Sequence, residues 1–226
     1  MRPGSPFVLA IDGPAAAGKS STARLVAERL SMRRADSGAL YRAATAARIR
    51  RGGDPGTWTE ASVIDAAKEV EMVPVTGAFE VRVSGKRVDA ELRSDAVTRN
   101  VSRVAAMSRV RTWVKAMMRE CAGSGPIVVD GRDMGTVVFP DATLKIWLVA
   151  EHRVRAHRRS VERLGRLPSD DEIDAEAEAL GRRDAADATQ SKPAPDAIEI
   201  DTTAMTPDEQ VDHIVGLARE RLRTTT

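Results

Sequence analysis

Residues 7 to 20 read Phe-Val-Leu-Ala-Ile-Asp-Gly-Pro-Ala-Ala-Ala-Gly-Lys-Ser: five apolar residues, one aspartate, then a complete GxxxxGK(S/T) loop from Gly13 to Ser20. No other feature restricts the fold so tightly. Five apolar residues in a row suit a strand buried on both faces, and Ala23, Val26, Ala27 and Leu30 recur behind the loop at helical spacing. A chance glycine-rich turn would not need that strand and helix around it. The triphosphate site is therefore expected at Gly13, Pro14, Ala15, Ala16, Ala17, Gly18, Lys19, Ser20 and Ser21. Backbone amides there point at phosphate oxygens, Lys19 spans the β- and γ-phosphates, and the Ser20 hydroxyl is the expected Mg²⁺ ligand.

The 226 residues, 42% hydrophobic and 30% charged, suit one large α/β domain over residues 1–226, and two independent domains would be cramped. No apolar stretch approaches bilayer length, and the N-terminal apolar run leads straight into the phosphate loop and not toward a cleavage site. A cytoplasmic protein with no membrane partner is expected. A net charge of +2 and 3% aromatics argue against a nucleic-acid partner. The single cysteine, Cys121, excludes an internal disulfide, and its helical spacing from Val110, Val114 and Met117 marks a core thiol. His152, His157 and His213 are too few for a zinc cluster and are read as surface or structural positions. Of the 35 lysines and arginines six are lysines, which leaves 29 arginines, the cation that grips phosphate bidentately. A compositional bias would give the same excess, so position counts for more than number.

Strands are expected at 7–11, 33–36, 127–130, 144–149 and 197–201, with helices between them. That alternation predicts a three-layer P-loop fold: a five-stranded parallel sheet covered on both faces, with ligands outside the carboxyl ends of the strands. Thr206-Pro207-Asp208-Glu209 opens the last helix with a capping box, and Val211, Ile214, Val215, Ala218 and Leu222 give it a buried stripe. Two segments break the pattern. Residues from about 63 to 93 carry Phe79, Val81 and Val83 at period two and the turn Ser84-Gly85, which predicts a small antiparallel insert. Residues from about 160 to 192 are rich in charge and alanine, which predicts a lightly packed, mobile helical lid. No long exposed apolar stripe demands a partner chain, so a monomer is expected.

The only asparagine, Asn100, precedes Val101, so the Asn-Lys-x-Asp reader of guanine is missing. A chain of this length also leaves little room to couple hydrolysis to movement. A small-molecule kinase remains, and it needs a second anionic pocket facing the loop. Asp36-Ser37-Gly38-Ala39-Leu40-Tyr41-Arg42 offers Ser37, Tyr41 and Arg42, although Ser37 read alone is equally a helix cap. Asp130-Gly131-Arg132-Asp133-Met134-Gly135-Thr136 places two carboxylates and an arginine in a loop at a strand end, more charge than a structural turn needs. Arg155, Arg158, Arg159 and Arg163 share helical spacing and are followed by Arg182 and Arg183; such a run is more often a solvated face.

Taken in order, GPAAAGKSS, DSGALYR, DGRDMGTVVFPDA and DAIEIDTT resemble the bacterial cytidylate kinases of the nucleoside monophosphate kinase superfamily, over residues 7 to 222. The second and third motifs together are the specific ones. The resemblance implies transfer of the γ-phosphoryl group of ATP to CMP or dCMP with Mg²⁺, in pyrimidine nucleotide metabolism. It implies that the insert is the monophosphate-binding element. It implies that Ser37, Arg42 and Arg132 hold the acceptor phosphate, within a pocket that includes Tyr41, Asp130 and Gly131. Ser102, Arg111 and Asp133 would read the cytosine edge, and Arg183 with Asp187 would reach the ribose. Lys19, Arg132, Arg158 and Arg183 would stand near the transferring group as the catalytic set. One departure is visible: the family usually places another arginine seven residues after Arg183, and this chain has Gln190, with Lys192 as a nearby substitute. The rival readings are a P-loop kinase acting on UMP, a sugar acid or shikimate, and a non-catalytic nucleotide sensor.

Overall fold

The structure, a computed structural model, describes residues 6–225; residues 1–5 of the leading segment lie outside the described residues. The apolar run forms most of β1 (Val8–Asp12), and side chains on both of its faces are buried, which explains why the residues before Asp12 are all apolar. Val8 and Ala10 face one helical layer, while Leu9 and Ile11 face the other. A strand wedged between two layers has no wet side.

The chain continues through α1 (Lys19–Leu30), β2 (Arg33–Asp36) and α2 (Ser37–Arg50) to α3 (Glu60–Ala67). A meander of β3 (Val70–Val75), β4 (Ala78–Val83) and β5 (Lys86–Arg87) follows, and then α4 (Asp89–Leu92), α5 (Asp95–Ala105) and α6 (Ser108–Ala122). The last third holds β6 (Ile127–Asp130), β7 (Leu144–Val149), the hairpin of α7 (His152–Leu164) and α8 (Asp170–Asp187), β8 (Ile198–Asp201) and α9 (Pro207–Thr225).

β2, β6, β1, β7 and β8 lie side by side and parallel, in that order, which is the expected five-stranded sheet. α1 and α9 cover one face, and α2, α3 and α6 pack on the other. Thr206 and Glu209 bond each other's backbone amides in the capping box that starts α9. The insert differs from its expected form in two ways. Residues 60–67 are helix and belong to the layer on the sheet, so the antiparallel part begins only at Val70. It also does not stand apart, because β4 joins the edge of the main sheet beside β2, with Arg34 N donating to Gly77 O at 3.1 Å. A small apolar cluster of Ala156, Ile173 and Leu180 joins α7 to α8 and meets the phosphate loop at Ala15. Cys121 is buried against Met72 with sulfurs 3.5 Å apart, and burial pushes its thiol up to about 11, as a core thiol requires. All three histidines are exposed.

Candidate active site

The phosphate loop bridges the end of β1 and the start of α1. Gly13 has φ +151°, and a Cβ there would lie 2.2 Å from Leu148 O on β7, so only glycine lets the loop leave the sheet at this point. Lys19 curls back over its own loop, its Nζ donating to Pro14 O at 2.6 Å. Burial holds its ammonium well below the usual lysine range; Arg132 and Arg183 push in the same direction, and Asp130 and Asp12 oppose them. Ser20 Oγ donates to Asp130 Oδ2 at 2.7 Å, and Ser21 Oγ to Gly18 O at 2.8 Å.

Asp130 ends β6 directly beside β1 and is almost wholly buried. Burial raises its carboxyl to about 6; Asp36 adds to the rise, and Arg34 opposes it. Arg34 forks between the two acids, Nε to Asp130 Oδ1 at 2.9 Å and a terminal nitrogen to Asp36 Oδ2 at 3.0 Å. The Asp130 carboxylate thus meets Ser20 and Arg34, while its backbone oxygen accepts from Ser37 Oγ at 2.9 Å, so this residue joins the Ser20 side to the expected acceptor pocket. Gly131 permits that approach, since a Cβ would sit 2.5 Å from the Ser37 hydroxyl. Ser37 is thus occupied in the site, and the helix cap is Asp36, which accepts from Ala39 N at 3.1 Å.

Among the described residues no group of three or more His, Cys, Asp or Glu side chains could hold a metal alone. Mg²⁺ does not ask for one, because it is commonly held by one or two carboxylates together with substrate phosphates and water. The Ser20 hydroxyl against the Asp130 carboxylate is a donor set of that kind.

Cations converge opposite the loop. Arg42, from α2, bonds Leu92 O at 3.2 Å and is pushed down by burial, with Arg159, Arg93 and Arg132 adding to the effect. Arg183, from α8, is pushed down to about 10 by burial and by Arg132, Arg42 and Arg159, and its buried Nε has no hydrogen-bond partner. Arg132 bonds Asp187 Oδ2 at 3.3 Å and Gly13 O at 3.4 Å. Arg158 is not part of this group, contrary to expectation. Its guanidinium donates to Thr202 Oγ1 and O, at 3.1 and 2.7 Å, and so fixes the turn between β8 and α9. The next residue, Arg159, faces the cluster in its place, because successive residues on a helix point about 100° apart.

Arg111 and Asp133, the pair expected at the base, lie against each other. Arg111 on α6 is bonded to Asp133 Oδ2, and burial raises the Asp133 carboxyl against that cation's pull. Tyr41 lies close by, its hydroxyl pushed up to about 12 by burial and by Asp133. Ser102 is half-buried on α5, one turn before Ala105, whose oxygen accepts from Arg111 at 3.4 Å. Lys192 is exposed, whereas Gln190 turns inward onto Arg111.

Two acids of the site, Asp12 and Asp184, carry no motif in the sequence, and Arg155 stands there only as one of a helical run of arginines. Asp12 closes β1 and accepts from Met134 N and Gly135 N at 2.9 and 2.7 Å, which fixes the Asp130–Thr136 loop against the phosphate loop. Its sequence signal is a lone acid at the end of a buried strand. Arg155 and Asp184 clasp Ala15 from the α7–α8 hairpin: Arg155 donates to Ala15 O at 2.8 Å, and Asp184 accepts from Ala15 N at 3.0 Å. The loop after Asp133 makes one wide turn, with Phe139 N bonding Met134 O at 2.7 Å, a turn type that recurs at functional sites.

A parallel sheet in the order described, a phosphate loop, and cations facing it from three other elements together define a P-loop kinase. A solved structure from Chloroflexus aurantiacus superposes with a TM-score of 0.51 over 98% of both chains, at 16% identity, a likeness of fold alone. The chain belongs to the cytidylate kinase family, whose description it matches over residues 9–220. It is 41% identical to the cytidylate kinase of Limosilactobacillus reuteri, covering 94% of this chain and 95% of that one. The cytidylate kinases of Geobacillus kaustophilus and Nocardia farcinica are 41% and 38% identical to it, and they match 95% and 99% of this chain and 97% and 98% of their own lengths.

Proposed function

We propose that this protein transfers the γ-phosphoryl group of ATP to CMP or dCMP, releasing CDP or dCDP and ADP. The observation that carries the reading is the Arg111–Asp133 pair set beside the converging arginines: a base reader next to a phosphate reader. A carboxylate accepts from the exocyclic amine of cytosine, and a guanidinium donates to its N3 and O2. Uracil presents the opposite pattern at the amine position and meets repulsion from the carboxylate.

Phosphoryl transfer passes through a loose transition state, so the protein's task is to align two anions and stabilise charge on the moving group. Lys19, Arg132, Arg159 and Arg183 supply that charge. No nucleophilic side chain and no strong general base is required, because the acceptor phosphate is already ionised. Mg²⁺, held by Ser20 and Asp130 with the phosphates of ATP, would draw electron density from the bridging oxygens. The α7–α8 hairpin is the element we assign as the lid; its small apolar contact with the phosphate loop at Ala15 permits movement, and closing over both nucleotides would exclude water. The insert, which lengthens the sheet beside Arg34 and Asp36, is assigned to the acceptor side. ATP and CMP are cytoplasmic metabolites, which favours the cytoplasm as the place of action.

A coupled ADP-release assay across acceptors tests the reading. CMP and dCMP should support turnover, with UMP, AMP, shikimate and sugar acids far behind. Preference for AMP or a sugar would overturn it, and Mg·ATP binding without CMP-dependent ADP release would favour a sensor.

A further inference from the structure

Beyond Asp187, α8 gives way to a turn in which Gln190 N and Ser191 N both donate to Asp187 O at 2.9 Å. The turn directs Gln190 inward, and its Oε1 accepts from the Arg111 guanidinium at 2.6 Å. An arginine side chain offers donors only, so the amide has to present its oxygen there. Arg111 is thereby held by Asp133 and Gln190 at close range and by Ala105 O at 3.4 Å. A planar guanidinium with two firm acceptors has its plane set, whereas with Asp133 alone it can pivot about that contact.

We infer that Gln190 is a positioning residue for base selection: it fixes the plane of Arg111, so that the remaining guanidinium donors meet the pyrimidine edge, and it ties that readout to the end of the lid helix. The inference rests on the cytidylate reading above. A neutral oxygen suits the place. Asp133 is buried, and a second carboxylate beside it would make the acceptor of the base amine harder to ionise; a cation would drive Arg111 away. The tie to the lid is equally local. Asp187, three residues earlier, accepts from Arg132, so one turn of chain holds both the phosphate-binding and the base-binding arginine.

The test uses the full-length protein and its Gln190→Leu and Gln190→Glu variants, with KM and kcat measured for CMP, UMP and ATP alongside thermal unfolding. Gln190→Leu should raise the KM for CMP on the order of tenfold, the low end of the worth of one charge-assisted hydrogen bond, and shrink the preference for CMP over UMP by a similar factor. The KM for ATP and the Tm should not move, and Gln190→Glu, which keeps an oxygen at that reach but sets a second carboxylate beside Asp133, should recover only part of the CMP affinity. A wild-type protein that prefers CMP, together with a leucine variant that keeps both its KM for CMP and its selectivity, overturns the inference alone. Equal losses toward CMP and ATP with a lower Tm would mark a purely structural residue and overturn it too. A wild-type protein that does not prefer CMP over UMP overturns the cytidine reading itself.

Discussion

Burial and Asp36 hold the carboxyl beside Ser20 above its ordinary value, and Arg34 is the cation that limits the rise. Asp130 and Asp36 both lean on its guanidinium, at 2.9 and 3.0 Å, and Asp130 still titrates near 6 with that cation in place. Arg34→Met keeps most of the apolar stem and removes the charge. Two unit charges about 4 Å apart attract by roughly 4 kcal/mol at an effective dielectric constant of about 20, and 1.36 kcal/mol corresponds to about one pKa unit. The ceiling is therefore about three units. Because Arg34 is shared with Asp36, and because water can enter where it stood, a rise of about one to two units is expected, which places Asp130 between about 7 and 8. Removing one partner of a buried pair usually costs about 3–5 kcal/mol, part of which returns when Asp130 takes up a proton. A net loss of about 2–3 kcal/mol corresponds to a fall in Tm of about 4–12 °C for a chain of this size.

The assay is a pH–rate profile from pH 5 to 9 at limiting Mg²⁺, with both nucleotides saturating. Activity needs the ionised carboxylate, so the wild-type rate should fall as the pH drops through about 6. In Arg34→Met that limb should move up by one to two units, with much of the rate regained at pH 9. Arg34→Lys, which restores a charge without the fork, should lie between the two. An acid limb at the wild-type position in Arg34→Met would refute both the assignment of Asp130 to the metal side and the electrostatic account of its ionisation.

Lys19→Ala should lower kcat at least about a hundredfold with the Tm unchanged or higher, since the buried ammonium is costly in the empty site; near-normal turnover would reject its role. Arg158→Met and Arg159→Met separate the two neighbours: the first should lower the Tm by several degrees with kcat within a few-fold, and the second should lower kcat with little change in Tm, so the reverse pattern would restore Arg158 to the site. Asp133→Ala should cut the preference for CMP over UMP about tenfold or more, read as a ratio of kcat/KM values. Asp130→Asn should abolish most turnover without a loss of stability at pH 7.5. The sign follows from linkage: an acid whose folded pKa is raised from 3.8 to about 6 stabilises the nucleotide-free fold below pH 4 and loses that contribution as the pH rises to 6. A clear drop in the asparagine variant's Tm at pH 7.5 would contradict this.

Where periodicity and motif order agree, the fold was legible: β1, β6, β7, β8 and α9 lie within a residue or two of their expected positions. β3 escaped because Val-Glu-Met-Val-Pro-Val alternates weakly and contains a proline, and its place at the sheet edge is the place that tolerates one. That β4 would dock beside β2 depends on a single bridge at Arg34, which no pattern within either segment announces. Arg158 and Arg159 show where helical spacing stops helping, since it groups four arginines on α7 but cannot say which way the helix is turned against the sheet. Arg34 was hidden for a related reason: two adjacent arginines make a poor strand signal until Asp130 is known to lie beside them.

Contact lengths in the site sort the charged groups into those held firmly and those held loosely. Arg34 with Asp130, at 2.9 Å, is scaffold of the sheet, and Arg155 with Asp184, at 2.7 Å, joins the two helices of the hairpin to each other. Arg132 holds Asp187 and Gly13 O only at 3.3 and 3.4 Å, and the buried Arg183 Nε holds nothing. Under the proposed function these are the donors free to take a phosphate. Lys19 is the intermediate case, with a short bond to Pro14 O and an ammonium that burial disfavours. A triphosphate offers that ammonium an anionic acceptor in place of a neutral carbonyl, so ligand binding should raise its proton affinity at the moment its charge is needed. Entry of the two nucleotides therefore replaces weak or missing contacts and leaves the strong ones alone, which is how a preorganised site binds anions without rebuilding its framework.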